Sequence, residues 1–202
     1  MLFRSFFLVD PLDGTREFVS RNGEFTVNIA LIEHGAPTLG VVYAPVTAVL
    51  YAGDTTVLRA VRMGLDTDAS AADRAKASRV PISVREPPPE GKLVAVVSRS
   101  HRDPATDAYL ARFRIAKTVS VGSALKFCLV AAGEADLYPR AQSISEWDTA
   151  AGHAVVVAAG GRVIDALGAP LRYGKPGFRS GAFVASGPFA APPLYGDRKS
   201  VV

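Results

Sequence analysis

Two carboxylates, Asp10 and Asp13, flank a proline and run into glycine and threonine in Asp10-Pro11-Leu12-Asp13-Gly14-Thr15. The apolar run ahead of them, residues 6–9, reads as the end of a buried strand. Pro11 has no N–H for ladder pairing, so the strand is expected to stop at Asp10. Gly14 and Thr15 are expected to open a helix, whose unpaired N–H groups make an anion site. Hard cations such as Mg2+ take oxygen ligands, commonly carboxylates together with a substrate phosphate. Metal and phosphate ligands would then stand within one turn of chain. The plainer reading is a turn, because Asp-Gly is a common turn pair and an Asp before Gly-Thr can serve as a helix cap. A second acidic stretch, Trp147-Asp148-Thr149-Ala150-Ala151-Gly152-His153-Ala154, weighs against a turn alone.

The elements that must position these residues fall into two textures. Residues 25–32 alternate and are rich in β-formers, so they read as a strand. Further strands are expected at 38–44, 46–52 and 55–61, with short turns between them, which argues for an antiparallel meander. Residues 63–79 are polar and read as an exposed helix or loop, and 80–84 as a short strand. Consecutive prolines make residues 85–91 the best linker candidate. Beyond it, 92–97 is a near-continuous apolar run, as in a strand buried on both faces. A helix over 103–113 has Pro104 in its first turn, and a strand is expected at 116–121. Ser123 is positioned to cap a helix through Glu134, with Leu125, Cys128, Leu129 and Ala132 on its apolar face. A strand at 135–139, a helix from an Asp148 cap through Ala159 and a last strand at 162–166 complete the pattern. Strands alternating with helices indicate an α/β layered half. The expected division is 6–86 for the antiparallel half and 92–190 for the α/β half.

Composition narrows the functional classes. The chain has 202 residues, 49% of them hydrophobic, which suits a globular protein with a real core. A net charge of +4 suits an anionic substrate, and no Lys/Arg block is dense enough for a polynucleotide track. The lone Cys128 excludes an internal disulfide and suits a reducing compartment. On its helix it reads as core, His153 reads as structurally buried, and His34 as a solvated turn residue. His101 follows a buried strand, where α/β ligand sites gather, and stays open between ligand contact and a structural role. No stretch is long and apolar enough for a membrane span.

Taken together, Asp10-Pro11-Leu12-Asp13-Gly14-Thr15 and Trp147-Asp148-Thr149-Ala150-Ala151-Gly152 resemble the motifs of the inositol monophosphatase superfamily, Mg2+-dependent and lithium-sensitive phosphomonoesterases. Within it, Thr15-Arg16-Glu17-Phe18, residues 21–32 and Gly122-Ser123-Ala124-Leu125-Lys126-Phe127-Cys128 are similar to the CysQ-type 3'(2'),5'-bisphosphate nucleotidases. The likeness covers residues 7–171. It implies the sugar-phosphatase α/β fold, an antiparallel sheet half followed by an α/β half. It implies two or three Mg2+ ions held by Asp10, Asp13, Asp148 and the Leu12 carbonyl. It implies that Gly14 and Thr15 hold the scissile phosphate, and that His101, Ser123, Lys126 and Arg140 contact the nucleotide. Glu17 and Glu24 match family positions without a direct role. The implied substrate is a small nucleotide, adenosine 3',5'-bisphosphate, in recycling the by-product of sulfate activation. The implied location is cytoplasmic, with peripheral association at an inner membrane. The alternatives are an inositol-1-phosphate or fructose-1,6-bisphosphate phosphatase, or a crippled fragment that binds Mg2+ and nucleotide. Residues 1–5 and 197–202 resemble non-native tails. By the resemblance to the family, about 60–80 residues carrying N-terminal helices, a Glu ligand for one metal and an acidic residue that helps activate water are expected to be missing, a size in keeping with ordinary domains, and the absence of that Glu is what raises the last alternative.

Overall fold

The structure, a computed structural model, describes residues 4–195 apart from 66, 67, 69, 101 and 102. Its first half is a six-stranded antiparallel meander in chain order. The strands are β1 (Ser5–Asp13), β2 (Thr26–Glu33), β3 (Ala36–Ala44), β4 (Val49–Asp54), β5 (Arg59–Gly64) and β6 (Val80–Pro81). A short helix α1 (Thr15–Val19) follows β1, and an exposed helix α2 (Ala71–Lys76) precedes β6. β1 does not stop at Asp10. It passes through Pro11 and Leu12 to Asp13, and its register against β2 shifts there. β4 and β5 begin three and four residues later than the sequence suggests. Residues 45–48 and 55–58 are turns ending in left-handed Ala48 (φ 53°) and Leu58 (φ 48°). The apolar Val46 and Val57, read as strand, are exposed turn residues.

The second half supplies β7 (Lys92–Ser98), α3 (Pro104–Leu110), β8 (Arg114–Val121), α4 (Leu125–Ala131), β9 (Leu137–Arg140), β10 (Ile144–Ser145), α5 (Ala150–Ala158), β11 (Arg162–Asp165), β12 (Arg179–Ser180) and β13 (Phe183–Ser186). The main sheet has the order β11-β13-β9-β7-β8. β7 runs parallel to β8 and β9, whereas β13 is antiparallel to both β9 and β11. β10 and β12 pair as a separate ribbon. The strand at 162–165 is therefore not the last. β13 was invisible to pattern reading, because a four-residue run buried on both faces shows no period.

Two helices fill the space between the sheets. α5 lies on the first sheet so closely that a Cβ on Gly40 would come within 2.4 Å of the Ala151 carbonyl oxygen. α4 packs beside α5 and reaches the second sheet through Phe127, which stacks on Phe183 at 5.3 Å and meets Tyr138 edge-on at 5.0 Å. Cys128 is fully buried in this layer. Burial on α4 falls on Lys126, Phe127, Cys128, Val130 and Ala131, with Leu125 and Leu129 only half-buried. A helix enclosed by two sheets and a neighbour has no single apolar stripe, so the expected face of Leu125, Cys128, Leu129 and Ala132 is a poor guide. α3 covers the far side of the second sheet, where Tyr109 and Leu110 pack with Leu93, Val97 and Val184. The outward face of the first sheet leaves Phe7, Val9, Ile29 and Leu39 exposed. Among the described residues no helix is long and apolar enough to cross a membrane.

Residues 82–91 carry no helix or strand, yet Arg85 is pinned. Its Nε and Nη2 donate to the Asp136 carboxylate at 2.7 and 2.6 Å. The Val94 N–H donates to the same carboxylate at 2.6 Å.

Candidate active site

In an unbroken strand Asp10 and Asp13 would point to opposite faces, since side chains alternate. The register removes that conflict. Asp10 stands opposite Asn28 and Asp13 opposite Thr26, so β1 has one residue more than β2 across the same span. This bulge at Pro11–Leu12 re-aims Asp13 to the side that carries Asp10. The third carboxylate, Asp148, ends a 3-10 turn (Glu146–Asp148) just ahead of α5. It does not cap α5; its Oδ2 accepts the Ser145 N–H at 3.0 Å. Oxygens of Asp10, Asp13 and Asp148 all lie within 4.8 Å of one another.

Each carboxylate is held from behind. The Leu12 N–H donates to Asp10 Oδ1 at 2.9 Å. Asn28 Nδ2 donates to Asp13 Oδ2 at 3.1 Å, with the Thr26 hydroxyl at 3.4 Å. The Ala124 backbone, from the second half, also favours the charged form of Asp13. Burial pushes the Asp13 carboxyl above its ordinary range and the nearby Asp10 adds to the push, while Lys126 and the hydrogen bonds oppose it. Burial and the Asp13 charge push Asp148 up to about 7. Three crowded carboxylates repel unless protons or cations intervene. An all-oxygen donor set of this kind fits a hard divalent cation rather than a soft one.

Beside the cluster opens a cavity of about 500 Å3, within the range of small-ligand sites. Gly14 and Thr15 form one wall. Gly14 has φ 89°, and a Cβ there would meet Ser123 Cβ at 3.2 Å, so glycine serves both the backbone and the packing. The N–H groups that follow open α1 and have no partner inside the helix. Facing them are Ser123, Lys126 and Arg140. Ser123 is not the α4 cap: it is left-handed (φ 48°), and Ala124 takes the cap position. Ser123 Oγ and Arg140 Nε are buried without a hydrogen-bond partner. Buried polar atoms are rarely left so, and both belong to residues lining this cavity. Lys126 is buried rather than a solvated charge. Its ammonium donates to the Ser123 carbonyl at 2.5 Å and stands 5.5 Å from the Tyr138 ring centre. Burial lowers it to about 8, with Asp13 pulling the other way.

The cavity thus gathers Asp10, Leu12, Asp13, Gly14, Thr15, Ser123, Lys126, Arg140 and Asp148. His101 lies outside the described residues. His153 is buried with Nδ1 2.9 Å from the Tyr173 hydroxyl, and burial drives it down to about 3, as suits a neutral structural histidine. Sequence reasoning gave no role to Trp147 and Tyr138, which also line the cavity, nor to Thr26 and Asn28. The last two carried a usable signal. They share the inward face of β2 with Ala30 and Ile32, and polar residues on a buried strand face need a polar partner.

Residues 4–192 match the family model described as the Inositol monophosphatase family. The 3'(2'),5'-bisphosphate nucleotidase CysQ of Escherichia coli K12 is 48% identical over 183 residues, which cover 88% of this chain and 68% of that protein. The crystal structure of CysQ from Bacteroides thetaiotaomicron superposes with a TM-score of 0.78 at 39% identity, covering 93% of this chain and 72% of that one. The inositol monophosphatase of Anabaena sp. PCC 7120 gives a TM-score of 0.71 at 28% identity, over 92% and 68% of the two chains. The layered α/β fold found here is the fold of these relatives.

Proposed function

This chain belongs to the inositol monophosphatase family, and from that membership and its likeness to CysQ we infer that it is a phosphatase acting as a 3'(2'),5'-bisphosphate nucleotidase. The substrate is a small nucleotide, adenosine 3',5'-bisphosphate, and the products are AMP and phosphate. Water adds to the 3'-phosphorus, the bond from phosphorus to the ribose 3'-oxygen breaks, and that oxygen leaves with a proton. The observation that carries the reading is the meeting of Asp10, Asp13 and Asp148 beside Gly14 and Thr15, in the same cavity as the unpaired Ser123 Oγ and Arg140 Nε.

The roles of individual residues are those the family resemblance implies, set beside where each stands in the cavity. Asp10, Asp13, Asp148 and the Leu12 carbonyl hold the divalent metal, read here as two or three Mg2+ ions. When bound, these ions offset the phosphate charge and acidify water. The Gly14 and Thr15 N–H groups and the Thr15 hydroxyl donate to phosphate oxygens at the start of α1. Asn28 and Thr26 keep the Asp13 carboxylate aimed at the cavity. Across it, Arg140 and Lys126 present positive charge and Ser123 a hydroxyl to the ribose and the 5'-phosphate. A substrate with charge at both ends satisfies both walls, whereas a small monophosphate satisfies one.

Phosphate release from adenosine 3',5'-bisphosphate and from inositol 1-phosphate, measured side by side with Mg2+ and with a chelator, tests the reading. Faster release from the nucleotide, abolished by the chelator, is expected. Equal or faster release from inositol 1-phosphate rejects the nucleotidase assignment.

A further inference from the structure

Outside the residues given roles above, one ionic cluster ties the two sheets together at the rim of the cavity. Glu24, between α1 and β2, accepts from Arg99 Nε at 2.8 Å and from Arg99 Nη2 at 2.7 Å, one bond to each oxygen. The same carboxylate accepts the Gly122 N–H at 2.8 Å. Arg99 Nη2 also donates to the Ser120 carbonyl at 2.9 Å. Arg99 follows the last residue of β7 and Gly122 the last residue of β8. One carboxylate of the first half therefore holds the ends of two neighbouring parallel strands of the second. A second grip lies alongside. Glu17 Oε1 accepts the Ser100 hydroxyl at 2.7 Å, and Arg16 Nη1 donates to the Ser100 carbonyl at 3.1 Å. The fit is close, since a Cβ on Gly122 would come within 2.4 Å of Glu17 Cγ.

Arg16 and Glu17 line the cavity themselves, and Arg99 and Gly122 are each next in sequence to a residue of its wall. Thr15 precedes Arg16, Ser98 precedes Arg99, and Ser123 follows Gly122, and all three of these neighbours line the cavity. The separation of the phosphate wall from the Ser98 and Ser123 wall is thus set by these contacts. We propose that Glu24 and Arg99 form a positioning clasp that fixes the width of the cavity and so favours substrates reaching both walls, nucleoside bisphosphates over small phosphate monoesters. This rests on the nucleotidase reading above. Neither residue touches substrate in this scheme. The bidentate geometry gives the clasp direction. With the Arg99 side chain 46% and the Glu24 side chain 21% exposed, solvent screens the pair, and its loss should move selectivity more than folding.

The test uses the full chain, with Glu24→Gln, Arg99→Met and the double variant. Two substrates are compared, adenosine 3',5'-bisphosphate and p-nitrophenyl phosphate, which carries no second phosphate. Each single variant should raise KM for the bisphosphate about tenfold with kcat within twofold, leave p-nitrophenyl phosphate turnover unchanged, and lower Tm by no more than about 4 °C, as expected for a directional, partly screened pair. The double variant should be no worse than either single one, because the two act as one unit. Equal loss on both substrates, no loss on either, or additive losses in the double variant would overturn the clasp. A wild-type protein that prefers p-nitrophenyl phosphate would overturn the nucleotidase reading and the clasp together, whereas a normal wild-type preference with silent variants removes the clasp alone.

Discussion

Replacing Asp148 with asparagine should stabilise the metal-free protein at alkaline pH and destabilise the protein with metal bound. Burial and the Asp13 charge raise Asp148 from 3.8 to about 7. The folded state therefore keeps a proton that the unfolded chain releases above pH 4. Unfolding then releases a proton, so rising pH favours the unfolded state between those two values. At 1.36 kcal/mol per pKa unit the full effect is about 4 kcal/mol. Asp148 is only partly buried, and solvent screening reduces this to about 2 kcal/mol. For a chain of this size that is roughly 4–8 °C in Tm. His153 works the other way, because its lowered pKa makes stability rise with pH from about 3 to the ordinary histidine value. It is common to both proteins, so its contribution drops out of the difference between them, which reports Asp148 together with its coupling to Asp13. Melting in chelator at pH 5 and pH 8 provides the assay. From pH 5 to pH 8 only the part of that window above pH 5 is crossed, so the wild type should lose about 3–5 °C relative to Asp148→Asn. With millimolar Mg2+ at pH 8 the order should reverse. Identical pH curves in chelator, or a variant less stable than the wild type at pH 8 without metal, would refute the crowded-carboxylate argument.

Two further outcomes follow from packing and backbone. Phe127→Ala should cost about 3–5 kcal/mol by chemical denaturation, because the ring joins α4 to Tyr138 and Phe183 in the central layer. A loss under about 1 kcal/mol would mean that the layer is not the core. Gly14→Ala should lose about 1–2 kcal/mol of stability from its left-handed backbone and should lower phosphatase activity through displacement of the Ser123 wall. Unchanged kinetics would remove Gly14 from the site.

The chemistry was legible where residue type and spacing coincide with chain order. Asp10, Asp13 and Asp148 were singled out from sequence, and they do converge. How Asp10 and Asp13 share a face was not legible. A spacing of three residues is wrong for a strand, and only the bulge opposite Thr26 and Asn28 resolves it. The meander was readable from its turns, but Val46 and Val57 drew strand boundaries into the turns, since apolar content says nothing of the left-handed residues Ala48 and Leu58 that end them. Ser123 and Asp148 looked like caps because their residue types favour that position. Tertiary contacts use them otherwise, Asp148 with Asp13 and Asp10 and Ser123 in the cavity wall. The Glu24–Arg99 and Arg85–Asp136 pairs join residues far apart in the chain, and a single sequence carries no mark of such partners.

Calorimetric titration of Mg2+ into the wild type, Asp10→Asn, Asp13→Asn and Asp148→Asn tests the shared-cation site most directly. The account predicts saturable binding to the wild type and a loss of at least about tenfold in affinity in each variant, since even the partners behind metal ligands are worth about that much. Wild-type affinity in any of the three variants would contradict it.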